Sequence, residues 1–201
     1  MPQIPESLEQ DSDVRRYFVE LERILTELFD GDQQIAGNLE ASGSLIFIGD
    51  AGLPHAEISV QGNAVETTFA DAGQANKAQV TVFDTNGCSH NMTPDHANDH
   101  ITVLVEGIYA CIISVSASSA GGDSDEIAMS LFKNNGATEF TNVHSHRIYS
   151  GGTGDKGSQS LSGLVDLAVG DTIEVWVWNE DDDDSITIDD MTLTLIHIGG
   201  T

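Results

Sequence analysis

Basic side chains are scarce. Three lysines and four arginines stand against 33 acidic residues in a chain of 201, for a formal net charge of -26. That imbalance excludes nucleic acid as a partner, because a phosphate backbone is held by Lys and Arg that displace its counterions. It excludes docking to anionic lipid on the same ground. No apolar run approaches the ~20 residues that a membrane-spanning helix needs. Met1 to Asp13 lack the positive start and apolar stretch of a secretory leader, so none is expected. Cysteine occurs twice, at Cys88 and Cys111, too few for a disulfide framework or a zinc site. Aromatics make up only 6%, so the core is lean. No internal repeat is visible, which sets propellers and solenoids aside.

What is present points to a folded β-rich chain. Charged residues total 20% and glycines number 20, unlike a disordered acidic tail. Aspartate supplies 20 of the 33 acids, and Arg15, Arg16 and Arg23 lie near the start, so the remainder is more acidic still. Such a surface repels itself and is best tolerated at high ionic strength. A saline source and a plain solubilising surface both account for it.

The chain changes character near Gly31. Before it, Val14, Phe18, Leu21, Leu25 and Leu28 recur at spacings of four and three, the a/d pattern of a helix that packs on other helices. Asp11, Ser12 or Asp13 caps its start and Asp30-Gly31 its end. A helix of ~18 residues is marginal alone in water, so it packs on its own β domain or, in the preferred reading, on its copies. Residues 32–54 form a Gly- and Ser-rich linker, interrupted by Leu45-Ile46-Phe47-Ile48, a short strand or docking patch.

From His55 onward the pattern is β. Strands are predicted at 56–60, 65–69, 79–83, 100–105, 108–117, 126–133, 140–149, 159–169, 172–178 and 185–198. Ile127, Met129 and Leu131 share a face; so do Ile173, Val175 and Val177, with Trp176 and Trp178 opposite; so do Met191, Leu193 and Leu195. Turn signals fall at Asn86-Gly87, Gly121-Gly122, Asn135-Gly136, Gly151-Gly152 and Gly170-Asp171. Ten strands without an intervening helix predict a sandwich or barrel.

The order of these motifs resembles the jelly-roll superfamily of tumour necrosis factor and the complement globular heads. Asp99-His100-Ile101-Thr102-Val103 followed by Glu106-Gly107-Ile108-Tyr109 looks like its "strand, Gly, aromatic, long strand" element. Ser130 to Gly136 looks like the following hairpin, and Leu161 to Leu167 with Gly170-Asp171-Thr172-Ile173-Glu174-Val175 like the element before the closing strand. The match runs from about residue 55 to 201. Ala56 to Asn63 and Asn91 to Asp99 are similar to segments of jelly-roll domains in bacteriophage virion proteins. The resemblance implies a homotrimer packed around a three-fold axis, which a zipping N-terminal helix would fit. Assembly in a host cytoplasm would keep both cysteines reduced.

Two clusters carry candidate metal chemistry. His144 and His146, at i and i+2 on a strand, point the same way. Around a three-fold axis six such imidazoles would coordinate a transition metal; the plainer reading is two exposed histidines. The run Glu180 to Asp184, with Asp181 and Asp183 as candidate ligands, offers hard oxygens for calcium at or near such an axis. Four consecutive aspartates on one turn cannot all face one ion, so a solvated acidic turn is the alternative. No cofactor is certain. No Gly-x-Ser-x-Gly elbow occurs, Cys111 reads as a buried thiol, and Cys88 lies near His90 without forming a dyad, so no enzyme is expected. Asn91-Met92-Thr93 is a glycosylation sequon that matters only in a secreted eukaryotic protein.

The expectation is an all-β chain: a ten-stranded jelly-roll sandwich (55–201) behind a linker (32–54) and a short amphipathic α-helix (1–31), assembled as a homotrimer. The function this implies is a virion surface protein of a bacteriophage, as capsid decoration, head fibre or tail-fibre tip. Its partners would be its own copies, capsid or tail proteins, and a host-surface glycan. The alternative is a secreted complement-head-like binding module or adhesin.

Overall fold

The computed structural model describes residues 52–119, 124–150 and 155–200. The expected helix carrying Val14, Phe18, Leu21, Leu25 and Leu28, and the linker up to Ala51, lie outside the described residues. Twelve strands follow: β1 (His55–Val60), β2 (Glu66–Thr67), β3 (Ala78–Gln79), β4 (Thr85–His90), β5 (Met92–Asp95), β6 (His100–Val103), β7 (Gly107–Ser119), β8 (Asp125–Lys133), β9 (Thr138–Tyr149), β10 (Lys156–Leu167), β11 (Thr172–Asn179) and β12 (Ile186–Gly199). They form two antiparallel sheets. The first runs β10-β7-β12-β1-β4 with β2 beside β12; the second runs β5-β6-β11-β8-β9 with β3 beside β11.

The long strands follow the alternation in the sequence. Tyr109, Cys111, Ile113, Val115 and Ala117 of β7 are all buried, and Met191, Leu193 and Leu195 of β12 pack beside them. Ile127, Met129 and Leu131 of β8 and Ile173, Val175 and Val177 of β11 line the facing side of the core. Each large side chain so buried contributes roughly 1.5–3 kcal/mol. A one-residue slip would turn a whole row outward, so the register is strongly specified.

Twelve strands replace the expected ten, and the difference has physical causes. The additional β4 and β5 are short polar strands at the ends of the two sheets, with no apolar alternation to reveal them. Asn86-Gly87, expected as a turn, lies inside β4, where the ladder to β1 shifts register. A Cβ on Gly87 would sit 2.9 Å from the Glu57 Cβ, so the glycine admits close approach of the two strands. The expected strands at 65–69 and 79–83 shrink to two residues each. Val80 and Phe83 are still buried, delivered to the core by chain that pairs only briefly.

The second sheet is covered on its outward side as well. Ala128, Phe132 and Trp178 form a separate buried cluster with Trp176 against it. The 3-10 turn Gln74–Asn76 folds over this cluster, tied by the Gly73 N–H to the Asn179 carbonyl at 2.6 Å. Lys77 Nζ then stands 5.1 Å from the Phe132 ring centroid and 5.2 Å from that of Trp176. On the other flank the hairpin turn at Asn135-Gly136 donates both its N–H groups to the buried Glu174 carboxylate, at 2.9 and 3.0 Å.

Candidate functional site

Three surfaces hold the chemistry of the described chain. The first is the outward face of the first sheet. Its central rows read Leu164–Ala110–Ile196, then Ser162–Ile112–Thr194, then Ser160–Ser114–Thr192 across β10, β7 and β12. Ile112 is 48% exposed and Leu164 57% exposed. Small hydroxyl side chains (Ser114, Ser160, Ser162, Thr192 and Thr194) surround this apolar centre. Charge lies around this centre: Glu57 continues the Ile112–Thr194 row on β1 and accepts from Thr194 Oγ1 at 3.1 Å, and Lys156, Asp166 and Asp190 lie towards the strand ends. In a chain of net charge -26, the apolar stretch around Ile112 and Leu164 is the part of this face that a like-charged body can approach at least cost.

The second surface is the outward side of β9, next to the Trp178 cluster. The expected co-facing of His144 and His146 is present: their ring centroids lie 4.5 Å apart, and the two Nε2 atoms 2.6 Å apart. Each Nδ1 faces a carboxylate. His144 Nδ1 is 3.2 Å from Glu139 Oε1, and His146 Nδ1 is 3.0 Å from Glu126 Oε1. The Trp178 ring lies 5.4 Å from the His144 ring, centroid to centroid. Glu126 comes from β8. Glu139 comes from β9 itself, where the ladder jumps from Ser130↔His144 to Leu131↔Phe140. This bulge brings Glu139 back to its own strand's histidine. Burial pushes Glu139 upward, but hydrogen bonds from Gln74, Ser130 and His144 outweigh it and hold the carboxyl below its usual range.

The third surface is the acidic turn after β11. Here Asp125, Asp182 and Asp184 bring carboxylate oxygens within 4.8 Å of one another. Asp181 and Asp183, the candidate ligands from sequence, are both exposed, and Asp181 instead accepts the Glu126 N–H at 2.8 Å. Buried Asn179 organises the turn. Its amide donates to Asp182 Oδ1 at 2.7 Å, and its Oδ1 accepts the Asp181 N–H at 2.9 Å. Asp125 is buried, accepts from Ser119 Oγ at 3.2 Å, and has its pKa raised, first by desolvation. Three convergent carboxylates suit a hard cation rather than a soft one.

Cys88 lies beside Glu57, Thr194 and Ile196 at the edge of the first surface, and Cys111 lies in the core. Both are free thiols, Cys88 exposed and Cys111 buried. Desolvation pushes the Cys111 thiol up to about 12, so it stays protonated and unreactive at neutral pH.

No protein-family model matches the chain, and no curated protein matches it. Among solved structures it is similar to the Eiger TNF of S. frugiperda, at 14% identity and a TM-score of 0.51, covering 75% of this chain and 95% of that one. The described residues therefore adopt a jelly roll of the tumour necrosis factor type, a likeness of fold.

Proposed function

We propose that the chain is the subunit of a homotrimeric surface protein of a tailed-phage virion, a capsid decoration, head fibre or tail-fibre tip. The carrying observation is the exposed apolar group of Ile112 and Leu164, with half-buried Ile196 beside them, on the outward face of the first sheet. Its occupant in this reading is the neighbouring copies around a three-fold axis, each covering part of this apolar group with a different surface of its own. The heptad-like stripe of Val14, Phe18, Leu21, Leu25 and Leu28 supports the same assembly from the other end of the chain. The virion setting rests on the sequence likeness of Ala56 to Asn63 and Asn91 to Asp99 to phage jelly-roll segments.

A secreted binding module is the second reading, favoured by the fold shared with Eiger TNF. The first test is the solution mass of the full chain by native mass spectrometry, in low and high salt. The expected result is three times 21.4 kDa. A monomer at both salts overturns the trimer. Recovery of the chain in purified phage particles, rather than in the medium of an expressing host, separates the two settings.

A further inference from the structure

We propose that His144 and His146 of a single chain form a two-imidazole chelate for a divalent transition-metal ion, with Glu139 and Glu126 as positioning carboxylates. This site is complete within one subunit and rests on neither the trimer nor its three-fold axis.

The argument starts from the two Nδ1 atoms. Each faces a carboxylate oxygen, Glu139 at 3.2 Å and Glu126 at 3.0 Å. A carboxylate holds a proton on the nitrogen it faces, so both rings present their Nε2 lone pairs outward. Those two nitrogens are 2.6 Å apart. Two nitrogens at that distance share either a proton or a metal ion, and a metal takes the place of the proton. A metal-bound imidazole nitrogen stands about 2.0–2.1 Å from its ion, which puts two ligands at a right angle about 2.9 Å apart. The rings therefore need to part by only a few tenths of an ångström to take an ion.

The surroundings suit the same occupant. The carboxylate–histidine pairs orient each ring and raise its basicity as a ligand. His146 is 41% exposed, which leaves a path for the ion and room for water in its remaining positions. Trp178 walls the other side. Two imidazoles select Cu2+, Ni2+ or Zn2+ over Mg2+ or Ca2+, with Cu2+ tightest by the general order of affinities. The other neighbouring pair, His55 and His90, does not share this geometry. Those rings stack at 6.1 Å and 23°, and His90 Nε2 is 3.0 Å from the Asn91 amide.

The test is a Cu2+ titration of the full chain followed by tryptophan emission, which comes only from Trp176 and Trp178. Expected is saturable quenching at one ion per chain, reversed by EDTA and shifted to higher Cu2+ concentration by excess Zn2+. H144Q and H146Q should each weaken binding at least 10-fold. E126Q should weaken it about 10–100-fold with no change in the melting temperature of the metal-free protein, which separates positioning from a structural role. Unchanged quenching in both histidine variants overturns the proposal. So does a stoichiometry of one ion per three chains, which would place the ion between subunits. Where a variant misfolds, Zn2+ protection of His144 and His146 from diethyl pyrocarbonate in the wild-type chain decides instead: protection supports the site, and equal labelling with and without Zn2+ overturns it.

Discussion

Asp171 shows what the rare cations of this chain are used for. Its carboxylate accepts from Lys133 Nζ and Asn134 Nδ2, each at 2.8 Å, and from the Ala168 N–H at 3.0 Å. Burial works to raise its pKa, but the hydrogen bonds from Lys133, Ala168 and Asn134 prevail and hold it below the ordinary value of 3.8. A carboxyl whose folded pKa is depressed stabilises the fold above its unfolded pKa. That contribution is lost as pH falls through the folded value. Asp171→Asn removes a charged acceptor from two hairpin connections at once. It should cost about 1–3 kcal/mol at pH 7. Urea unfolding of both proteins across pH checks this: the gap should narrow steadily below the usual carboxylate range, and a pH-independent gap would show that shape rather than charge matters there. Asp125 has the opposite shift because burial dominates and Asp182 and Asp184 add like charge.

At the scale of the element, legibility followed periodicity. The inward rows of β8, β11 and β12 follow from the alternation of their sequences; β7 alternates buried and outward positions along its length, whereas β8 and β11 bury much of their outward rows as well. β4 has no buried residue, so nothing in its sequence distinguishes it from the turn that Asn86-Gly87 suggests. The co-facing of His144 and His146 follows from the two-residue period of a strand. The arrival of Glu139 does not, because it depends on a bulge between Ser130 and Leu131 that only pairing with β8 defines. At the acidic turn the arrangement depends on a side chain rather than on strand period. Asn179 ends β11 and its side chain rebuilds the turn, so Asp182 and Asp184 converge while Asp181 and Asp183 face solvent. The outward row of β7 carries its own prediction. Ile112 points away from the core and is half exposed, so Ile112→Asp should lower folding stability by only about 1 kcal/mol. On a face that meets its copies it places one buried charge per subunit in the contact. Light scattering should then show dissociation to monomers with circular dichroism unchanged; an assembly indifferent to the substitution would move the contact elsewhere.

For the whole molecule the governing term is self-repulsion. Among the described residues the Lys and Arg side chains are Lys77, Lys133, Arg147 and Lys156, and all four are engaged. Lys77 lies over Phe132 and Trp176, Arg147 over Tyr149, Lys133 on Asp171 and Lys156 on Asp189. Among the described residues none is left to form a compensating patch, and the acidic side chains far outnumber these four. Folding gathers these charges from a loose chain into a compact body, and assembly would gather them further. Mobile ions relieve that cost. The screening length falls from ~30 Å at 0.01 M salt to ~3 Å at 1 M, from spanning the domain to spanning one side chain. The melting temperature should therefore rise with NaCl across this range, by several degrees if the relief is on the order of 1–2 kcal/mol. Scanning calorimetry at fixed pH and protein concentration measures it. The Lys133–Asp171 and Lys156–Asp189 pairs oppose the trend, since salt weakens attraction as well as repulsion. They number two against an excess of acid spread over the whole surface, so the net slope should stay positive. A flat or falling melting temperature would mean that the acidic side chains lie too far apart to repel, and that the acidity serves solubility alone.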